Sequence, residues 1–349
     1  MTTNRRVRWG VIGSGGIARR RTVPEGIVPA VNAELATVFD PDREANQTVA
    51  RQYEARAAES VEELLAGDVD AVYVASPPAA HRAQVAACAR AGKGVLCEKP
   101  LALTVADAEA MVAECAGAAV PLGVGFMMRF VAQHQAALRM IREGQLGRPV
   151  FARAQLSCWY PPLLGAWRQD PRQSGGGALM DLGGHCLDLL EMFLGEAVAV
   201  TCMTTRAVHD YPVEDGAVVS LQFPGGVLGV VDVSFSVPDA SSRNRLEIYG
   251  TAGSILAEGT IGQAAAGEMR AHLGAEGRGY DAVQARSGGG GPCIAPPAVN
   301  PYRAQIEEFS QALLEGRAPL NDAALGLQSQ RLIAACYESA ATGRLIRLT

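Results

Sequence analysis

An aspartate and a histidine lie four residues apart, Asp181 and His185, in the apolar stretch SGGGALMDLGGHCLD of residues 174–188. Helical spacing would put both side chains on one face, one turn apart, with Asp188 a turn further on. A carboxylate beside an imidazole raises the ring's proton affinity and orients it, and histidine is well suited to proton transfer near neutral pH. The same pair on an ordinary surface helix would only solvate that face. Gly183 and Gly184 each cost about 0.8–1 kcal/mol relative to alanine in mid-helix, which implies tight packing there. Gly175, Gly176 and Gly177 allow positive φ and the close approach of a ligand or another segment. Leu182, Leu189, Leu190 and Phe193 are the expected packing positions.

A second candidate is the tripeptide Glu98-Lys99-Pro100. A lysine there can hydrogen-bond a substrate hydroxyl and favour its alkoxide, or can simply pair with Glu98 at the surface. Pro100 restricts Lys99 to extended backbone angles. Asp181, His185 and Asp188 could also be read as metal ligands. His81, His134, His209 and His272 are isolated, however, and supply no further ligand cluster, so no metal site is expected.

The elements that must position these groups begin with VRWGVI (7–12), a strand running into the turn GSGG. Gly13 permits the tight turn, Gly15 lets backbone approach a pyrophosphate, and Ala18 lets helix and strand pack closely. The following helix start offers free N–H groups and a partial positive charge to phosphates. The strand ELATVFD (34–40) ends in Asp40, 22 residues after Ala18. That carboxylate can accept from ribose hydroxyls and repel a 2′-phosphate, or cap the helix starting near Pro41. NAD is the expected cofactor, with NADP left open by the neighbouring Arg43.

Helices near 60–66, 79–91 and 104–117 then alternate with strands at 70–76, 94–100 and 121–126. Continuous apolar strands separated by helices indicate a parallel sheet covered on both faces, with ligands beyond the strands' C-terminal ends. The segments 76–81, 98–100 and 125–130 converge on that edge. Further on, 151–160, 197–208, 215–223, 227–237 and 244–250 read as strands without intervening helices, the pattern of an antiparallel sheet. Its uncovered face, with content such as VVDVSF, is a candidate for sheet-to-sheet assembly. The Gly/Pro-rich segment 287–297 reads as a flexible or ligand-covering loop.

The chain has 349 residues, 19% of them charged, and a net charge of −5, which argues against nucleic acid as a partner. Arg19, Arg20 and Arg21 read as a solvated helix face. Eight cysteines without a CxxC pair imply buried free thiols in a reducing compartment. No run of 18 apolar residues and no signal-type N-terminus is present, so a cytoplasmic location is expected.

Taken together, GVIGSGGIA, VFD, SPPAAH, EKP, GFMMRF and WRQDPRQSGGGALMDLGGHCLD resemble the glucose–fructose oxidoreductase/inositol dehydrogenase/MocA (Gfo/Idh/MocA) family. NPYRAQIEEF and ACYESAATGRLIRL resemble that family's closing helices. The resemblance implies a Rossmann domain at 1–125 and an α+β domain with a large, mainly antiparallel open-faced sheet at 126–349. It implies an NAD(P)-dependent dehydrogenase or reductase acting on a sugar, cyclitol or related polyol. Lys99 would assist proton transfer, Asp181 would orient substrate, and His185 would be the general acid/base. Gly13, Gly15, Gly16, Ile17 and Ala18 would lie against the pyrophosphate and Asp40 on the ribose. Ser76, Pro77, His81, Glu98 and Lys99 would surround the cofactor, and Arg129, Trp167 and Arg168 would line the substrate side. For His81, backbone anchoring is the alternative. An NAD-retaining glycosidase of the same family is a second reading. A cofactor-sensing regulator is a third, opposed by the joint presence of Lys99, Asp181 and His185. A homodimer or homotetramer through the second sheet is expected.

Overall fold

The computed structural model describes residues 5–263, 266–274, 282 and 291–348. The chain divides into two compact units. One gathers Met1–Phe130, Gly165–Gly176 and Asn300–Ala334; the other gathers Val131–Leu164, Gly177–Val299 and Ala335–Thr349.

The first unit holds strands β1 (Val7–Ile12), β2 (Ala33–Phe39), β3 (Arg56–Ala57), β4 (Ala71–Val74), β5 (Gly94–Cys97) and β6 (Leu122–Val124). They pair in the order β3-β2-β1-β4-β5-β6, all parallel. Every residue of β4 and β5 is buried, as a strand covered on both faces requires. The helices start where the sequence supplies caps: Asp42 for Arg43–Gln52, Ser60 for Val61–Ala66 and Thr104 for Val105–Gly117. Asp42, not Asp40, is thus the cap near Pro41. The helix Pro301–Glu315 joins this unit from far along the chain: Phe309 packs on Trp9 at 5.3 Å, and Trp9 Nε1 donates to Ser310 Oγ at 3.0 Å. Strand β3, two residues long, is too short to leave a periodic signal in the sequence.

The second unit holds β7 (Pro149–Ser157), β8 (Ala199–Thr205), β9 (Gly216–Gln222), β10 (Leu228–Ser234), β11 (Arg245–Gly250), β12 (Gly253–Glu258), β13 (Glu268–Leu273) and β14 (Ile346–Arg347). Their order is β13-β12-β11-β7-β10-β9-β8-β14. β7 and β10 pair in parallel and the other neighbours are antiparallel. The helix Gly184–Leu194 lies against β7 and β10. Gly229 makes room beneath it: a Cβ there would stand 2.7 Å from the Phe223 ring and 3.3 Å from Leu190. Strand alternation splits the VVDVSF run. Val231, Val233 and Phe235 are buried, while Asp232 and Ser234 fall on the half-exposed side. The outward face therefore mixes polar groups with exposed Met203, Val218 and Leu228 rather than being apolar.

Of the segment 287–297, residues 287–290 lie outside the described residues. Its remainder is not a loose loop at Pro292–Ile294, where Ala271 N–H donates to Pro292 and Ile294 N–H donates to Met269, alongside β13. None of the eight cysteines forms a disulfide; Cys158 is half-buried and Cys293 exposed, while the other six are buried as expected.

Candidate active site

In the first unit the chain leaves β1 through Gly13, whose φ is +86°. A Cβ at Gly13 would stand 2.6 Å from Ser76 N, so β1 and the end of β4 meet there at a distance only glycine allows. Gly15 N–H donates to Asp40 Oδ2 at 2.9 Å, and Asp42 N–H donates to Asp40 Oδ1 at 2.9 Å. The carboxylate at the end of β2 is thereby fixed against the glycine turn, with lone pairs left for a ligand. The helix that follows, Ala18–Ile27, is wound with the wide i→i+5 pattern, a form that recurs at functional sites. Arg19 and Arg20 are exposed, and Arg21 pairs with Glu25.

This turn fits a dinucleotide. Ser14 is fully buried and its hydroxyl finds no partner among the described residues. A Cβ at Gly16 would meet nothing within 4 Å, and Ile17 and Ala18 open the helix. An unsatisfied buried hydroxyl beside an open glycine turn and a helix start matches the polar, anionic surface of a pyrophosphate.

Across the same sheet edge, His81 is fully buried and faces only carbonyls: Ser76 O at 2.9 Å from Nε2, and Pro100 O and Leu101 O at 3.1 and 3.2 Å from Nδ1. It ties the ends of β4 and β5 together, the geometry of a backbone anchor. Burial holds its pKa below the ordinary histidine range against the pull of those carbonyls. Ser76 Oγ donates to Gln84, and Pro77 precedes the helix Pro78–Arg90. Glu98 follows β5. It accepts from the Tyr73 hydroxyl on β4 and, through Oε2, from Lys99 N–H at 3.2 Å. Burial raises the Glu98 pKa, while Tyr73's donation and the charges of Lys99 and Arg168 oppose that rise. Arg168 also stacks over Trp167, 4.3 Å from its ring centroid. Arg129 lies in the short turn Met127–Phe130 that follows β6. The first unit thus contains Lys99, Glu98, Arg129, Trp167 and Arg168.

The chain passes into the second unit between Gly176 and Gly177. A Cβ on Gly177 would lie 2.0 Å from Glu214 O, which explains one glycine of the run. The Glu214 carboxylate accepts from Gly177 N–H at 2.8 Å, Leu179 N–H at 3.0 Å and the Tyr337 hydroxyl at 2.8 Å. It satisfies two orphan donors of a helix start. A wide i→i+5 turn, Leu179–Gly183, then runs into Gly184–Leu194. From Ala178 to Leu190 only Asp181, Leu182 and His185 are half-exposed, and every other position is buried. Leu182 is therefore not a full packing position, and Asp181 and His185 lie on the open stripe of an otherwise enclosed helix. Asp188 is buried.

Sequence patterns did not reveal Glu214, Tyr337, Tyr73 or Thr22. Glu214 and Tyr337 belong to no motif. Tyr73 could have been flagged, because a hydroxyl in an otherwise aliphatic central strand must find a partner. Among the described residues no group of three His, Cys, Asp or Glu side chains could hold a metal ion, and no helix is long and apolar enough to cross a membrane.

A parallel sheet with a glycine turn, a carboxylate fixed against it and a lysine at the strand ends is the architecture of a dinucleotide-dependent oxidoreductase. Residues 7–126 match the family described as oxidoreductase family, NAD-binding Rossmann fold, and residues 134–256 match the GFO/IDH/MocA C-terminal domain. The chain belongs to the Gfo/Idh/MocA family of NAD(P)-dependent oxidoreductases, which act on CH–OH groups. It is 35% identical to a 1,5-anhydro-D-fructose reductase of Ensifer adhaerens, over 75% of this chain and 79% of that one. The structure of aldose–aldose oxidoreductase from Caulobacter crescentus, complexed with glycerol, is 30% identical with a TM-score of 0.87, covering 99% of this chain and 100% of that one. The WlbA dehydrogenase from Bordetella pertussis, in complex with NADH and UDP-GlcNAcA, is 25% identical with a TM-score of 0.82, covering 99% of each chain.

Proposed function

We propose that this enzyme interconverts a secondary alcohol and a ketone on a sugar, cyclitol or related polyol. The observation that carries the reading is the half-exposed stripe of Asp181 and His185 on an otherwise buried helix. Likeness to a reductase of 1,5-anhydro-D-fructose and to an aldose–aldose oxidoreductase supports a sugar-derived substrate.

When bound, NAD(P) supplies the hydride acceptor at nicotinamide C4. His185 takes the hydroxyl proton during oxidation and returns it during reduction. Lys99 stabilises a developing alkoxide, and Asp181 orients the substrate and the imidazole. Arg129, Trp167 and Arg168 line the substrate side. Gly13, Gly15, Gly16, Ile17 and Ala18 would hold the pyrophosphate and Asp40 the adenosine ribose, and the Asp40 charge would favour NAD over NADP by repelling a 2′-phosphate. Residues 1–125 bind the nucleotide, and 126–349 carry the proton-transfer helix and an assembly surface. That surface is the outward face of the second sheet, with Met203, Val218 and Leu228 exposed, and it pairs copies into a homodimer or homotetramer. Eight cysteines without a disulfide support a reducing, cytoplasmic setting.

The test is a screen of inositols, aldoses, uronates and dihydrodiols, with their keto counterparts, for NAD(P)-linked absorbance change. No turnover in either direction, with NADH bound, would remove the reading. A preparation that sediments as a monomer at every concentration would remove the assembly.

A further inference from the structure

Of the 31 lysine and arginine side chains only two are lysine, Lys93 and Lys99. Lys93 Nζ donates to Val69 O at 2.8 Å in a turn. Lys99 is the other, at a position where an arginine could not release a proton. Its environment contains a buried chain of hydroxyls. Thr22 Oγ1 donates to Tyr73 Oη at 2.9 Å, the Tyr73 hydroxyl donates to Glu98 Oε1, and Glu98 Oε2 accepts from the Lys99 backbone. Thr22 and Tyr73 are both fully buried. A Cβ at Gly125 would stand 3.0 Å from the Glu98 carboxyl carbon, so the carboxylate is also gripped from the β6 side.

We propose that Tyr73 is a positioning residue for Lys99: its phenol fixes the Glu98 carboxyl beside the lysine, and Thr22 polarises the phenol. The proposal rests on the role given to Lys99 above. Packing alone does not account for the hydroxyl, since phenylalanine would fill the same place in β4. The groups facing Glu98 are Tyr73 from β4, Cys97 and Lys99 on its own strand and turn, Arg168 from the Trp167–Gln169 turn and Tyr302 from Pro301–Glu315. Burial opposes the Glu98 charge, and the hydrogen bond from the Tyr73 hydroxyl does most to offset it. Thr22 sits on the helix that follows the first glycine turn, so the relay connects the nucleotide-binding helix to the lysine.

With two lysines, the full-length enzyme after reductive ¹³C-methylation gives two side-chain signals, and Lys93→Arg assigns them. The Lys99 methyl resonance records the ionisation of Glu98. A hydrogen bond to a carboxylate favours its charged form, so Tyr73→Phe moves that inflection to higher pH by about half a unit or more. The acid limb of kcat/KM moves the same way, and Thr22→Val produces a smaller shift of equal sign. An unmoved Lys99 inflection in Tyr73→Phe, or in Thr22→Val should the first variant not fold, overturns the proposal. Undiminished turnover in Lys99→Ala, with the inflection still shifted in Tyr73→Phe, would instead sink the catalytic role of Lys99 and leave the relay standing.

Discussion

Two glycine-rich turns introduce the two functional helices, and each is held by a carboxylate from elsewhere in its unit. At Gly13–Gly16 the holder is Asp40, and at Gly175–Gly177 it is Glu214. Both helices open with a wide i→i+5 winding. The difference lies in what each carboxylate has left to offer. Asp40 takes one backbone N–H on each oxygen and keeps acceptor capacity at an open turn. Glu214 Oε1 is occupied by two backbone N–H groups and the Tyr337 hydroxyl, and Gly177 is pressed onto the Glu214 backbone. The first turn is built to receive a ligand. The second is built to hold a helix still, with Asp181 and His185 on its half-exposed stripe as the proposed ligand-facing groups.

The largest expected effect tests whether the two units serve one reaction. Lys99→Ala and His185→Ala should each lower kcat by about two to four decades, the usual loss for acid–base assistance, while NADH still binds. Single-turnover rates with fluorescence-detected NADH binding measure both quantities. A large loss in one variant and none in the other would assign the chemistry to one unit alone. Next in size is Gly177→Ala. The added methyl has no room against Glu214 O, and overpacking of this kind costs about 1–3 kcal/mol. The melting temperature and kcat should fall while NADH affinity is retained. A variant that melts like the parent would show that the second turn is not held as tightly as its geometry indicates.

Part of this comparison was readable in the sequence, for a physical reason. Strands of a parallel sheet are buried on both faces, so β4 and β5 appear as unbroken apolar runs and β1 as one broken by Arg8, and the glycine turn and Lys99 fall at the ends of β1 and β5. Asp181 and His185 were readable as a pair because helical spacing is local. Their exposure was not, since it depends on sheet and loops packing around the other faces of the helix. Trp167 and Arg168 were read as substrate-side residues, yet sequence order could not show that 165–176 packs with the first unit, with Arg168 near Glu98. Glu214 makes its backbone contacts across 35–37 positions of sequence, and the loop that carries it has no pattern. Asp40 and Asp42 were beyond discrimination by type. Both are good caps two residues apart, and only the backbone angles at Asp42 select the one that caps.

That last pair supplies the smallest and sharpest test. Asp42 accepts from Glu44 N–H and Ala45 N–H, so Asp42→Ala removes an N-cap and should cost about 1 kcal/mol of stability. It should leave cofactor preference unchanged. Asp40→Ala instead frees Gly15 N–H and removes the charge that would repel a 2′-phosphate. NAD should bind about tenfold more weakly, the equivalent of about 1.4 kcal/mol, and the ratio of NAD to NADP affinity should fall. Titration of both cofactors against both variants separates the roles. If Asp40→Ala kept its NAD-to-NADP ratio, Asp40 would be no more than a tether for its own loop. The first turn would then resemble the second, and the contrast between a receiving turn and a holding turn would disappear.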